Sequence, residues 1–119
     1  MAWPSSSKTS CSKVRAMIDA DKARRESLRW YILLTLNKSR PVDPHEAVVL
    51  STIQGIYPDS TPLELRRELD YLADRSLVTL NKQPSGPWIC GLTHYGVDIA
   101  EYTVDCRPGI ARPEKYWSA

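Results

Sequence analysis

Guanidinium, ammonium and amide side chains gather in two short stretches of this chain, LRRELDY at 65–71 and NKQ at 81–83. Arg66 and Arg67 are of the type that bonds guanine edges or phosphates, each good bidentate base contact discriminating by roughly 1–3 kcal/mol. The same two arginines can instead be solvated and paired with Asp70 and Glu64 at helical spacing, each pair contributing about 0.2–0.5 kcal/mol. Asn81, Lys82 and Gln83 precede Pro84-Ser85-Gly86-Pro87, where the prolines stiffen a turn that Gly86 permits. They read either as a groove probe or as plain turn flanks. Lys22, Arg24, Arg25 and Arg29 form the densest basic cluster, with Arg25 and Arg29 one helical turn apart, suited to phosphates, an acidic partner or solvent. The rings of Tyr71, Tyr95, Trp30 and Trp88 can stack on bases, although at helix and strand positions Trp30 and Trp88 read as packing.

Other chemistry is thinly represented. Cys90 and His94 would need two further ligands to hold zinc, and only Cys106 and His45 are candidates, without a familiar spacing. A buried Cys90 and a partly packed His94 are the expectation, with no metal and no cofactor. No Ser/His/Asp set, Gly-rich phosphate loop or convergent titratable group stands out, which argues against an enzyme. The three cysteines, Cys11, Cys90 and Cys106, are odd in number and imply reduced thiols.

The elements that must position these residues are legible from local signals. A chain of 119 residues with 42% hydrophobic and 25% charged content is expected to form one globular domain. The longest strongly apolar run, Trp30 to Leu34, is too short to span a bilayer, and no signal-like stretch opens the chain, so a cytoplasmic protein without membrane contact is expected. Residues 1–40 hold nine Lys/Arg against three Asp/Glu, whereas the remainder holds seven against eleven. The serine-rich residues 1–12 are expected to be a flexible arm, and 103–119, with its prolines and aromatics, an irregular tail. Tyr116 and Trp117 are expected to dock on this chain or on a second subunit.

Between them, residues 13–102 read as helix, helix, turn, helix, hairpin, helix. The first helix has no Pro or Gly until Pro41, and consecutive Trp30 to Leu34 cover most of its circumference, predicting burial on several sides, in part by a second subunit. Asp43-Pro44-His45-Glu46 and Thr61-Pro62-Leu63-Glu64 each supply a cap, a proline at the first helical position and a carboxylate in the first turn. The second helix should stop at a left-handed Gly55, and the third should reach about Ser76 with Leu65, Leu69 and Leu72 on one face. The hairpin pairs Leu77–Lys82 with Trp88–Leu92, and Thr93 caps a last helix ending near Tyr102. The fold class is mainly α with a small β-hairpin, in the order of a winged helix-turn-helix.

The run TPLELRRELDYLADRSLVTLNKQPSGPWICGLTHYGVDIAEY resembles winged helix-turn-helix proteins of the bacterial and phage regulator type. LRRELDYLADRSLV is similar to their third helix entering the wing, GPWICGLTHYG to the returning wing strand with its Leu-Thr-x-x-Gly exit, and DIAEY to the following helix. With the preceding helices, the resemblance covers roughly residues 24 to 102. The ending DCRPGIARPEKYW, with THYGVDIAEYTV, also resembles small winged-helix proteins of Mu-like transposable phages and prophages. The resemblance implies duplex DNA as partner, with residues 62–75 in the major groove and 81–86 on backbone or minor groove. The residues so assigned are Arg66, Arg67, Tyr71, Asn81, Lys82 and Gln83, with Arg24 and Arg25 alongside. The third helix departs from a basic footprint, setting Arg66, Arg67 and Arg75 against Glu64, Glu68, Asp70 and Asp74. The expectation is a non-enzymatic DNA-binding protein of transcription regulation, dimeric through its first helix and tail. The alternative is a winged-helix interaction module that holds a phage or host protein.

Overall fold

The computed structural model describes the backbone of residues 3–115, with side chains from residue 19 onward. Four helices, α1 (Trp3–Ser39), α2 (Glu46–Gln54), α3 (Pro62–Asp74) and α4 (His94–Ala100), accompany a two-stranded antiparallel sheet of β1 (Val78–Asn81) and β2 (Ile89–Leu92). No helix among the described residues is long and apolar enough to cross a membrane.

α1 begins at Trp3, so residues 3–12 continue the helix where the sequence suggested an arm. After Pro4, which the first turn tolerates, no residue up to Pro41 breaks the helix. Leu28, Ile32 and Leu36 recur at four-residue spacing and are buried with Leu33 against Val49 and Ile53 of α2 and Leu65, Leu69 and Leu72 of α3. Fully burying such a side chain contributes about 1.5–3 kcal/mol. Trp30 points to another side and meets Tyr102 edge-on, with ring centroids 5.9 Å apart. Trp30, Ile32 and Leu33 are thus buried within this chain, and Tyr31 and Leu34 are half-buried.

The two expected helix starts behave differently. Thr61 accepts a hydrogen bond from the Glu64 N–H at 3.2 Å with Pro62 opening α3, as its sequence predicts. Pro44 stays outside α2, which starts at Glu46, with His45 extended and its side chain making no capping bond. The reason is tertiary: the Cys90 N–H donates to the Pro44 carbonyl at 3.0 Å and the Glu46 N–H to the Trp88 carbonyl at 2.8 Å. The connection from α1 to α2 therefore runs as a third edge beside β2, bridged at His45 and Ile89.

Helix ends also depart from expectation. Gly55 keeps right-handed angles (φ −64°), and the left-handed positions fall on Ser76 (φ 63°) and Tyr102 (φ 64°). Each follows a helix and makes the same exit: Leu77 N–H to Leu72 carbonyl after α3, and Thr103 N–H to Asp98 carbonyl after α4. α3 consequently stops at Asp74 and α4 at Ala100, two residues before the ends expected. Thr93 caps α4, accepting from the Gly96 N–H at 3.0 Å. The strands pair Val78 with Leu92 through Asn81 with Ile89, placing buried Val78 and Cys90 on the core and residues 82–88 in the turn.

The described tail is irregular yet fastened. Ala111 N–H donates to the Glu26 carbonyl at 3.1 Å, the Arg112 guanidinium to the carbonyls of Ile99 and Val104, and the Tyr102 hydroxyl to the Pro113 carbonyl. Tyr116 and Trp117 lie outside the described residues.

Cys90 is fully buried, and its thiol is pushed up to about 11, chiefly by burial and further by the Glu46 and Asp43 carboxylates. Since the thiolate is the reactive form, Cys90 is expected to resist a maleimide at about pH 8 until the protein unfolds. Peptide mapping by mass spectrometry checks this; labelling of native Cys90 at the rate of a free thiol would contradict it.

Candidate nucleic-acid interface

α3 has two charged sides. Toward α1, Glu64 takes a bidentate pair of bonds from Arg24, both at 3.1 Å, and Arg24 also reaches Asp59 at 2.9 Å. These contacts raise the Arg24 pKa, with Asp59 the larger cause, and the guanidinium lies over the Tyr57 ring. One turn on, the Arg29 Nε donates to Glu68 at 2.8 Å, with both side chains largely buried. Arg29 also donates to the Gly109 carbonyl at 2.8 Å and lies 3.5 Å over the Tyr71 ring, whose other contact is Arg75 at 4.3 Å. Gly109 (φ 111°) has no room for a Cβ, which would overlap the Tyr71 hydroxyl. Arg24, Arg29 and Tyr71, candidates for nucleic-acid contact by sequence, are therefore engaged inside the fold, where they join α1, α3 and the tail.

Opposite its buried leucines, the helix presents Leu63, Arg66, Arg67, Asp70 and Asp74 at spacings of three and four. Arg66 does not pair within its own helix: its Nε donates to Glu46 of α2 at 2.8 Å and a terminal nitrogen bonds the other carboxylate oxygen. The Arg66 guanidinium holds the Glu46 carboxyl below its ordinary range, helped by the Trp88 backbone and opposed by desolvation. Arg66 also lies over the indole of Trp88 at 4.7 Å, with the Lys82 ammonium 4.6 Å from the same ring. Lys82 pairs with Asp70 at 2.7 Å, both side chains about half exposed. Glu46, α3 and the hairpin base thus meet around one tryptophan.

Arg67 is exposed, and no ion pair or hydrogen bond engages its side chain among the described residues. Arg25, half-buried on α1, shares with it a groove of about 210 Å³ that also touches Asp21 and Glu64. Asn81 and Gln83 are exposed beside Lys82. The structure thus brings Arg67, Arg25 and the 81–83 edge to the surface, and gives Arg66 a structural engagement. Glu46 and Trp88 were missed as partners of the candidate cations. Glu46 lies 20 residues from Arg66, so helical spacing gives no sign of the pair.

Among the described residues no group of three or more His, Cys, Asp or Glu side chains is arranged to hold a metal ion. No protein-family model matches the chain, and neither a curated protein nor a solved structure matches it.

Proposed function

We propose that this chain is a winged-helix DNA-binding protein, with α3 as the helix that enters the major groove and the 82–88 turn as the tip of the wing. The order of elements supports the fold reading, as does the bridge from His45 to Ile89 that lays the connection before α2 beside the two-stranded sheet. One observation carries the function: the acid excess of α3 is turned inward. Glu64 and Glu68 are neutralised by Arg24 and Arg29, and Arg66 by Glu46, so the outer face keeps Arg67 against Asp70 and Asp74. Lys82 adds a cation whose exposed pair with Asp70 is worth at most about 1 kcal/mol and can give way to a phosphate. Arg67, Lys82 and Arg25 make the backbone contacts in this reading, while Arg66 remains on Glu46 and Trp88.

Anisotropy of a labelled mixed-sequence duplex across about 50 to 200 mM salt tests it, each phosphate contact adding roughly −0.9 to the log-log slope. Arg67→Ala is expected to weaken binding uniformly across sequences and to reduce the slope by about 1. A flat titration at the lowest salt would sink the reading.

A second reading has its own observation. Leu63 is 71% exposed on the outer face of α3, and Val48 of α2 is 53% exposed. Apolar side chains there suit a protein surface, and a module holding another protein through them would leave DNA binding absent in wild type and Arg67→Ala alike.

A further inference from the structure

A cavity of about 310 Å³ lies between the end of α3, the start of α4 and the tail, within the size range of small-molecule sites. Leu77 and Ile99, both nearly inaccessible, line it together with the half-buried Tyr95 and Ile110. Arg75 and Arg107 also line it, and both are exposed. Neither forms an ion pair among the described residues, and Arg75 is steadied by stacking on Tyr71. The single carboxylate in the lining is Asp74, which leaves the site with one surplus positive charge. A mixed lining, with Tyr95 and Ile110 beside two guanidinium groups, matches a molecule that has a hydrophobic body and an anionic head, because a carboxylate can take charge-assisted bonds from a guanidinium while its body displaces water.

We propose that this cavity binds a small amphipathic monocarboxylate, held by Arg107 and Arg75 at its head and by Tyr95 and Ile110 along its body, over the nearly inaccessible Leu77 and Ile99. It meets the outer face of α3 only at Asp74, and it holds whether or not the chain binds DNA. A ligand here touches α3, α4 and the tail at once, bracing the tail against the helices.

The test is amide-resolved NMR titration of the full chain with 4-phenylbutyrate, with 4-phenylbutyramide as the uncharged control. Saturable shifts confined to Ser76, Leu77, Tyr95, Ile99 and residues 107–110 are expected, with dissociation at about 1 mM or below. Arg107→Ala, a change at an exposed position, should weaken binding about tenfold, as for the loss of one charge-assisted contact. The amide should bind more weakly by a similar factor. Absence of saturation by about 10 mM, shifts centred elsewhere, or equal affinity for acid and amide would each overturn the proposal.

Discussion

Arg29→Ala is expected to lower the stability of the protein by about 3–5 kcal/mol, the cost of removing one partner from a buried ion pair. The carboxylate left behind is Glu68, whose side chain is only 4% exposed. The same change removes the donor to the Gly109 carbonyl and the cation over Tyr71, so it loosens the tail as well. Urea unfolding at neutral pH measures the effect as a shift in midpoint. The control is the double variant Arg29→Met with Glu68→Met: packed apolar side chains of similar volume often replace a buried pair at little cost. The double variant should therefore be more stable than Arg29→Ala. A single variant within about 1 kcal/mol of wild type would mean that the pair is solvated and the account wrong.

Gly96→Ala should cost about 2–3 kcal/mol, although alanine is the better helix former by roughly 0.5–1 kcal/mol. Gly96 lies in the first turn of α4, where the helix crosses the base of the hairpin. A Cβ there would overlap the Leu77 carbonyl oxygen and come within 2.7 Å of the Leu92 Cδ1. The carbonyl is held in place, because it accepts the Thr93 N–H at 3.1 Å and shares the Thr93 hydroxyl with the Ser76 carbonyl, at 3.0 and 2.7 Å. α4 would have to lift from the sheet, taking buried Ile99 with it. Gly86→Ala serves as the comparison, since the nearest atoms there belong to the flexible Gln83 side chain, and its effect should stay within about 0.5 kcal/mol. Equal melting temperatures for the two variants would remove the steric argument.

Both predictions concern contacts that the sequence does not announce. Arg29 and Glu68 are 39 residues apart, and nothing local distinguishes Arg29 from Arg25 one turn earlier. The Leu-Thr-x-x-Gly exit was visible, but the need for glycine at its end comes from how closely α4 approaches Leu77. The pairing of Arg66 was misjudged for a similar reason. Asp70 lies at helical spacing from it, yet Asp70 is taken by Lys82 across the hairpin and Arg66 by Glu46 from α2. Charge counting along α3 has the same blind spot, because a sum over residues carries no information about which side of the helix each occupies.

The sequence by itself determined the elements whose signals are complete within a few residues. Thr61-Pro62 fixes the start of α3 and Thr93 that of α4, since each cap bonds an amide three residues on. Leu65, Leu69 and Leu72 set the buried face of α3 through period alone, and the Pro-Ser-Gly-Pro turn sets the hairpin. Tertiary structure decided the rest. Pro44 left its helix because its carbonyl, with the Glu46 N–H, completes bonds to the edge of β2, and backbone groups at that edge cannot be buried unpaired. It also decided which cations face solvent, because an arginine near a buried carboxylate is held there by the cost of leaving that charge alone. Arg29 was drawn into the fold in this way by Glu68, Arg24 was held at the surface edge between α1 and α3 by Asp59 and Glu64, and Arg67 was left outside.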